Sequence, residues 1–157
     1  MASGLDSNQA GNRTDRLYLG GGRVQDTSSR TAVEAVPGSR WKYANNDTLL
    51  AIHALRGAIK NDKKFLEFPF TSVLHKIGMM DTKLETDWGG DFILSSQVWT
   101  TSRDMARLGI LYLNNGIWNG ERILPENWTQ YVSTPALAQP LNESTPGYGA
   151  QFWLDNE

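Results

Sequence analysis

Arg40-Trp41-Lys42-Tyr43-Ala44-Asn45 follows Pro37-Gly38 and runs straight into Asn46-Asp47 and the apolar stretch LLAIHALRGAI of residues 49–59. Proline and glycine punctuate the chain, so the hexapeptide sits on a loop. What comes next carries an Asx cap signal followed by apolar residues on a broad helical stripe, which predicts a buried helix from about Asp47 to Lys60. Leu49, Ile52, Leu55 and Ile59 are expected on its core face. A tyrosine and an asparagine two positions apart thus stand at the entrance of a helix. Taken alone, Tyr43 is a half-buried aromatic beside a turn and Asn45 a cap or turn residue.

Working outward, Pro69-Phe70 opens a shorter predicted helix through Ile77, and Gly78 stands where a helix ends in the left-handed conformation. Thr101-Ser102-Arg103-Asp104 reads as a capping box in which Thr101 covers the Asp104 amide and the Asp104 side chain reaches back. A helix of about 14 residues is expected after it, with Met105, Leu108, Leu111 and Tyr112 as its apolar stripe and Asn115-Gly116 as its stop. A second short helix is expected near Pro125, and Tyr148 to Leu154 alternates like a strand. Residues 1–40 are rich in Gly, Ser, Asn, Asp and Thr and read mostly as loop with short ordered pieces.

In this company the Tyr43-x-Asn45 pair resembles the second motif of the serine β-lactamase and penicillin-recognising family, including class C β-lactamases, related esterases and 6-aminohexanoate-dimer hydrolases. Ser3-Gly4-Leu5 after Met1 is similar to the segment that follows that family's nucleophile helix, so that Met1 reads as an internal residue. Ile77-Gly78-Met79-Met80-Asp81-Thr82, Thr101 to Gly109, Asn115-Gly116 through Leu124-Pro125, and Tyr148-Gly149-x-x-Phe152-Trp153 fit the family in order. The resemblance implies a mixed α/β fold of the β-lactamase and DD-peptidase type. Residues 1–157 are then a single incomplete domain dominated by helices, with 1–40 an irregular stretch on the active-site side and 41–157 carrying the motif, the helices and the first returning strand.

The resemblance also implies an activity. A serine in Ser-x-x-Lys attacks an amide or ester carbonyl and forms an acyl-enzyme that water hydrolyses. Tyr43 is the implied proton relay, and Asn45 the residue that orients the motif lysine and the substrate amide. A phenol with a pKa of about 10 serves near neutrality only where cationic neighbours favour its phenolate. The substrate expected is a small-molecule amide or ester, with no metal or organic cofactor. The family's habit is periplasmic or secreted, and the sequence itself leaves the compartment and the oligomeric state open.

One Ser-x-x-Lys does occur, Ser39-Arg40-Trp41-Lys42. The catalytic version needs the serine at the start of a buried helix with the lysine one turn on, facing the same way. This one follows Pro-Gly and abuts the tyrosine loop, so Ser39 and Lys42 read as turn and surface residues. A recruited nucleophile pair is the competing reading. The third motif, a Gly-containing strand, is not found within residues 1–157, which leaves a non-catalytic binding chain as the rival from another class.

Composition narrows the rest. Six Trp, five Tyr and five Phe in 157 residues suit a folded chain with aromatic residues to bury. A formal net charge of −2 offers no basic footprint for nucleic acid. With no cysteine there is neither a disulfide nor a thiolate nucleophile, and His53 and His75 cannot by themselves form a multi-histidine zinc site. Both histidines read as core-lining or helix-end residues. No stretch approaches the roughly 20 apolar residues of a membrane helix.

Overall fold

The helix after the tyrosine loop, α3 (Asn45–Ile59), organises the fold around itself. In the computed structural model, residues 1–6, 15–29, 32–136, 138–139 and 147–154 are described. Two short helices, α1 (Asp15–Tyr18) and α2 (Val24–Ser29), precede α3, and α2 packs on it. Leu49 is fully buried with Leu17, Val24 and Ile93, while Ile52, one turn on, joins Phe65 and Phe92 in a second cluster. Leu55 and Ile59 pack on that second cluster, so all four expected core positions face inward. Their spacing of three to four residues keeps them on one side of the helix.

The start of α3 differs from its expected capping. Ala44 is the N-cap, in extended conformation with no side-chain cap bond, and Asn46 lies inside the helix with none of its surface exposed. Asn46 Nδ2 donates to the Asp6 carbonyl at 3.1 Å. Asp47 accepts from the Ser3 amide at 3.0 Å and from Ser3 Oγ at 2.7 Å. Both Asx side chains are drawn away from the helix end by partners some forty residues upstream, which a local cap signal does not register.

A second correction falls on Pro69. The helix there, α4 (Asp62–Pro69), begins seven residues earlier, capped by Asn61, whose side chain accepts from Lys64 N at 2.8 Å. Pro69 closes α4 instead of opening a helix, and Phe70–Leu74 continues as a π-helical turn with His75 N donating to Phe70 O. Proline has no amide proton, so the regular ladder fails at that point and the wider turn takes over. Gly78 then ends the segment at φ 78, as expected.

Strands β1 (Lys83–Leu84) and β2 (Val98–Trp99) pair antiparallel before α5 (Ser102–Leu113). Thr101 caps α5 as expected, its hydroxyl accepting from Asp104 N at 3.1 Å. The Asp104 carboxylate does not reach back. It accepts from Asp81 N and Thr82 Oγ1, each at 3.0 Å, and ion-pairs with Arg107 at 2.6 Å. The α5 stripe is narrower than predicted: Leu111 is fully buried with Ile77 and Met79, Leu108 packs on that cluster, and Met105 is 52% exposed. Asn115 and Gly116, at φ 49 and 79, turn the chain out of the helix.

A small hairpin of β3 (Ile117–Trp118) and β4 (Glu121–Arg122) leads to α6 (Trp128–Ser133). Tyr148 to Leu154 is not one strand but a tight hairpin, β5 (Gly147–Tyr148) against β6 (Trp153–Leu154). Gly149 makes this possible. A Cβ there would lie 1.8 Å from the Val132 carbonyl oxygen, so only glycine lets the turn press onto the end of α6.

Candidate functional site

The loop bearing Tyr43 is held from both sides by the first residues of the chain. Lys42 N donates to the Met1 carbonyl at 3.1 Å, and Ala44 N reaches Met1 Sδ at 3.3 Å. Gly38 N donates to Ala2 O, and Gly4 O accepts from Glu34 N and Ala35 N. Gly4 is at φ 78, and a Cβ on it would stand 2.0 Å from the Ala35 carbonyl oxygen. With the Ser3 to Asp47 bonds, the Ser-Gly-Leu segment is thereby fastened to both the loop and the first turn of α3.

Tyr43 itself is 43% exposed. Its ring stacks on Trp153 with centroids 5.1 Å apart and planes 29° apart, and meets Tyr148 edge-on at 5.7 Å and 78°. Tyr148 lies edge-on to Trp153 at 4.9 Å and beside Trp41 at 5.6 Å. Four rings thus form one cluster, Tyr148 at its buried centre and Tyr43 and Trp153 at its open face. Offset and edge-to-face pairs of this kind contribute roughly 0.5–1.5 kcal/mol each beyond their burial.

Burial pushes the Tyr148 phenol up to about 12, with the nearby Tyr43 and Asp47 adding in the same direction. Its amide donates to Gln139 Oε1 at 2.6 Å. Tyr148 holds its proton throughout the neutral range and is a structural centre for the cluster.

Asn45, the other predicted site residue, is the first residue of α3 and half-buried, so the helix start brings it within two positions of Tyr43. Ser39 is exposed and its hydroxyl donates to Val36 O at 2.7 Å, closing its own turn. Residues 39–44 are not helical, so Ser39 and Lys42 lack the one-turn spacing of a nucleophile pair. Lys42, expected at the surface, is half-buried. His53 is half-buried in mid-helix, and His75 is exposed beside the Phe70 ring.

Sequence reasoning did not single out Tyr148, Trp153 or Gln151 as neighbours of Tyr43. The Tyr-Gly-x-x-Phe-Trp segment was the available signal, and its folding into a hairpin is what carries Trp153 to the loop. Among the described residues no group of three or more His, Cys, Asp or Glu is placed to hold a metal ion, and no helix is long and apolar enough to cross a membrane.

A scan of protein-family models finds no match, and a search of curated proteins finds none either. Solved structures do match. A Bacillus anthracis protein described as a 6-aminohexanoate-dimer hydrolase superposes with a TM-score of 0.67 at 27% identity, over 85% of this chain and 37% of its own. A Bacteroides dorei protein described as a β-lactamase gives 0.66 at 18% identity, over 91% of this chain and 43% of its own. A penicillin-binding protein from Bacillus halodurans gives 0.64 at 18%, over 94% and 52%. The last two, at such identity, speak for the fold, and this chain spans about half or less of each neighbour. The chain thus shares the fold of solved structures described as serine β-lactamase-like and penicillin-binding proteins, and spans a part of each.

Proposed function

We propose that residues 1–157 are part of a single serine-hydrolase domain that cleaves an amide or ester through an acyl-serine, and that Tyr43 is its proton relay. The observation that supports this most is the presentation of Tyr43: partly open to solvent, on a loop bonded at both flanking amides, immediately before α3. In the reaction, a serine oxygen bonds to the substrate carbonyl carbon while its proton passes to Tyr43. The relay hands that proton to the departing amine or alcohol, and water then cleaves the acyl-serine. Asn45, at the head of α3, orients the motif lysine and the substrate amide with its donor and acceptor atoms. The neighbour at 27% identity favours a short amide of the aminohexanoate kind, or a related ester, as substrate.

Residues 1–157 contain no Ser-x-x-Lys other than Ser39 to Lys42, and the Ser39 hydroxyl is engaged in its own turn. This favours a second reading, in which the chain by itself binds without turning over. Nitrophenyl-ester hydrolysis by this chain and by any longer form from the same reading frame separates the two. Turnover confined to a longer form, falling about 10²- to 10⁴-fold in Tyr43→Phe, supports the relay. Equal turnover in Tyr43→Phe removes it, and turnover by residues 1–157 that vanishes in Ser39→Ala restores the recruited pair.

A further inference from the structure

Gln151, in the turn of the β5–β6 hairpin, lies at φ 68, in the left-handed region that a non-glycine residue occupies only at a cost. Its side chain shows what holds it there. Gln151 Oε1 accepts from Thr48 Oγ1 at 2.9 Å, and the Tyr148 hydroxyl approaches the same oxygen at 3.5 Å. Thr48 stands on the first turn of α3, the helix that Tyr43 leads into. The amide therefore ties the hairpin to the helix entrance. So tied, β6 lays Trp153 flat on the Tyr43 ring, and β5 sets Tyr148 edge-on behind it.

We propose that this hairpin is a positioning clamp for the Tyr43 phenol, with Trp153 as the positioning residue and Gln151 as the tie that keeps the hairpin on α3. The inference rests on the reading of Tyr43 as proton relay and adds what fixes it. A partly exposed tyrosine on a loop can occupy several staggered rotamers. A relay has to keep its hydroxyl within hydrogen-bond reach of the serine proton, and stacking on one face with an edge contact on another removes the alternatives. The strained backbone at Gln151 is then the local cost of a contact made at the site.

Fluorine NMR of the chain labelled with 3-fluorotyrosine tests this without any turnover. The Tyr43 signal is assigned by Tyr43→Phe, and Tyr18, hydrogen-bonded to Ser95 away from the hairpin, serves as the control. In the unaltered chain the Tyr43 signal is expected to be broad and displaced from free fluorotyrosine by the indole ring. Gln151→Gly, which suits the backbone and deletes the tie, should sharpen it and move it toward the free position with Tyr18 unchanged. Trp153→Ala should do the same more completely, and Trp153→Phe should restore most of the displacement. A Tyr43 signal that stays put in Gln151→Gly, or one already at the free position in the unaltered chain, overturns the clamp. Should Trp153→Ala also collapse Tyr18, the comparison of Gln151→Gly with Trp153→Phe decides. A chain that hydrolyses no ester in any form defeats the relay reading and leaves this result to stand or fall by itself.

Discussion

At Tyr148 burial disfavours the phenolate, and the consequence is a dependence of stability on alkaline pH. The folded phenol lies near 12 against an ordinary value of 10.0, so it is raised. Below pH 10 the group is neutral in both states and its contribution is complete. As pH climbs from 10 toward about 12 the unfolded chain sheds this proton first, and stability falls by up to roughly 2 kcal/mol. Urea midpoints measured at neutral pH and across that window should show the loss, and Tyr148→Phe should flatten it. An equally steep fall in the variant would assign the effect to other groups. Tyr43 shares the cluster but is 43% exposed to solvent.

Among the elements, α5 owes its place to one carboxylate. Asp104 is 1% exposed and serves Asp81 N, Thr82 Oγ1 and Arg107 at once, locking the turn after Gly78 onto the first turn of the helix. Asp104→Ala takes the acceptor from the Asp81 amide and from the buried Thr82 hydroxyl, which keeps Thr100 Oγ1 as its other partner, and is expected to lower the unfolding free energy by about 1–3 kcal/mol. Arg107→Ala removes the countercharge but leaves the buried carboxylate its Asp81 and Thr82 donors, so it should cost less than Asp104→Ala. Denaturant melts of the two variants give the order directly, and a larger effect at Arg107 would contradict it. The α3 entrance follows the same logic, with Asp47 receiving Ser3 twice and so coupling the first residues to the helix behind Tyr43.

The molecule as a whole leaves much apolar surface uncovered. An apolar cleft of about 320 Å³ opens between α3, α4 and β1–β2, with Leu55, Phe68, Leu84 and Val98 on its walls. Trp88, Trp99 and Trp153 are 83%, 61% and 53% exposed. Apolar patches of this extent bind hydrophobic probes. The native chain is therefore expected to enhance anilinonaphthalene sulfonate fluorescence, and Phe68→Ser, at a residue 41% exposed on the cleft wall, should weaken it. An unaltered chain that leaves the dye dark would show the cleft to be closed in solution. The neighbouring structures place the same fold within chains at least about twice as long, of which this one spans 37% to 52%.

The sequence by itself determined what short-range chemistry decides. Thr101 caps α5, Gly78 and Asn115-Gly116 end their helices in left-handed turns, Leu49 to Ile59 face inward from α3, and Tyr43 stands on the loop before it. Each of these depends on neighbours within about one helical turn, where residue type and spacing suffice. Only the tertiary structure decided where competing partners were remote. Asn46 and Asp47 carry a cap signal yet bond to Asp6 and Ser3, and the Asp104 carboxylate leaves its own helix end for Asp81 and Thr82. Tyr148 to Leu154 alternates like one strand yet doubles back, because Gly149 can press on Val132 and Gln151 can reach Thr48, 103 residues earlier. Contacts at that separation depend on how the whole chain packs, and the stacking of Trp153 on Tyr43 is one of them.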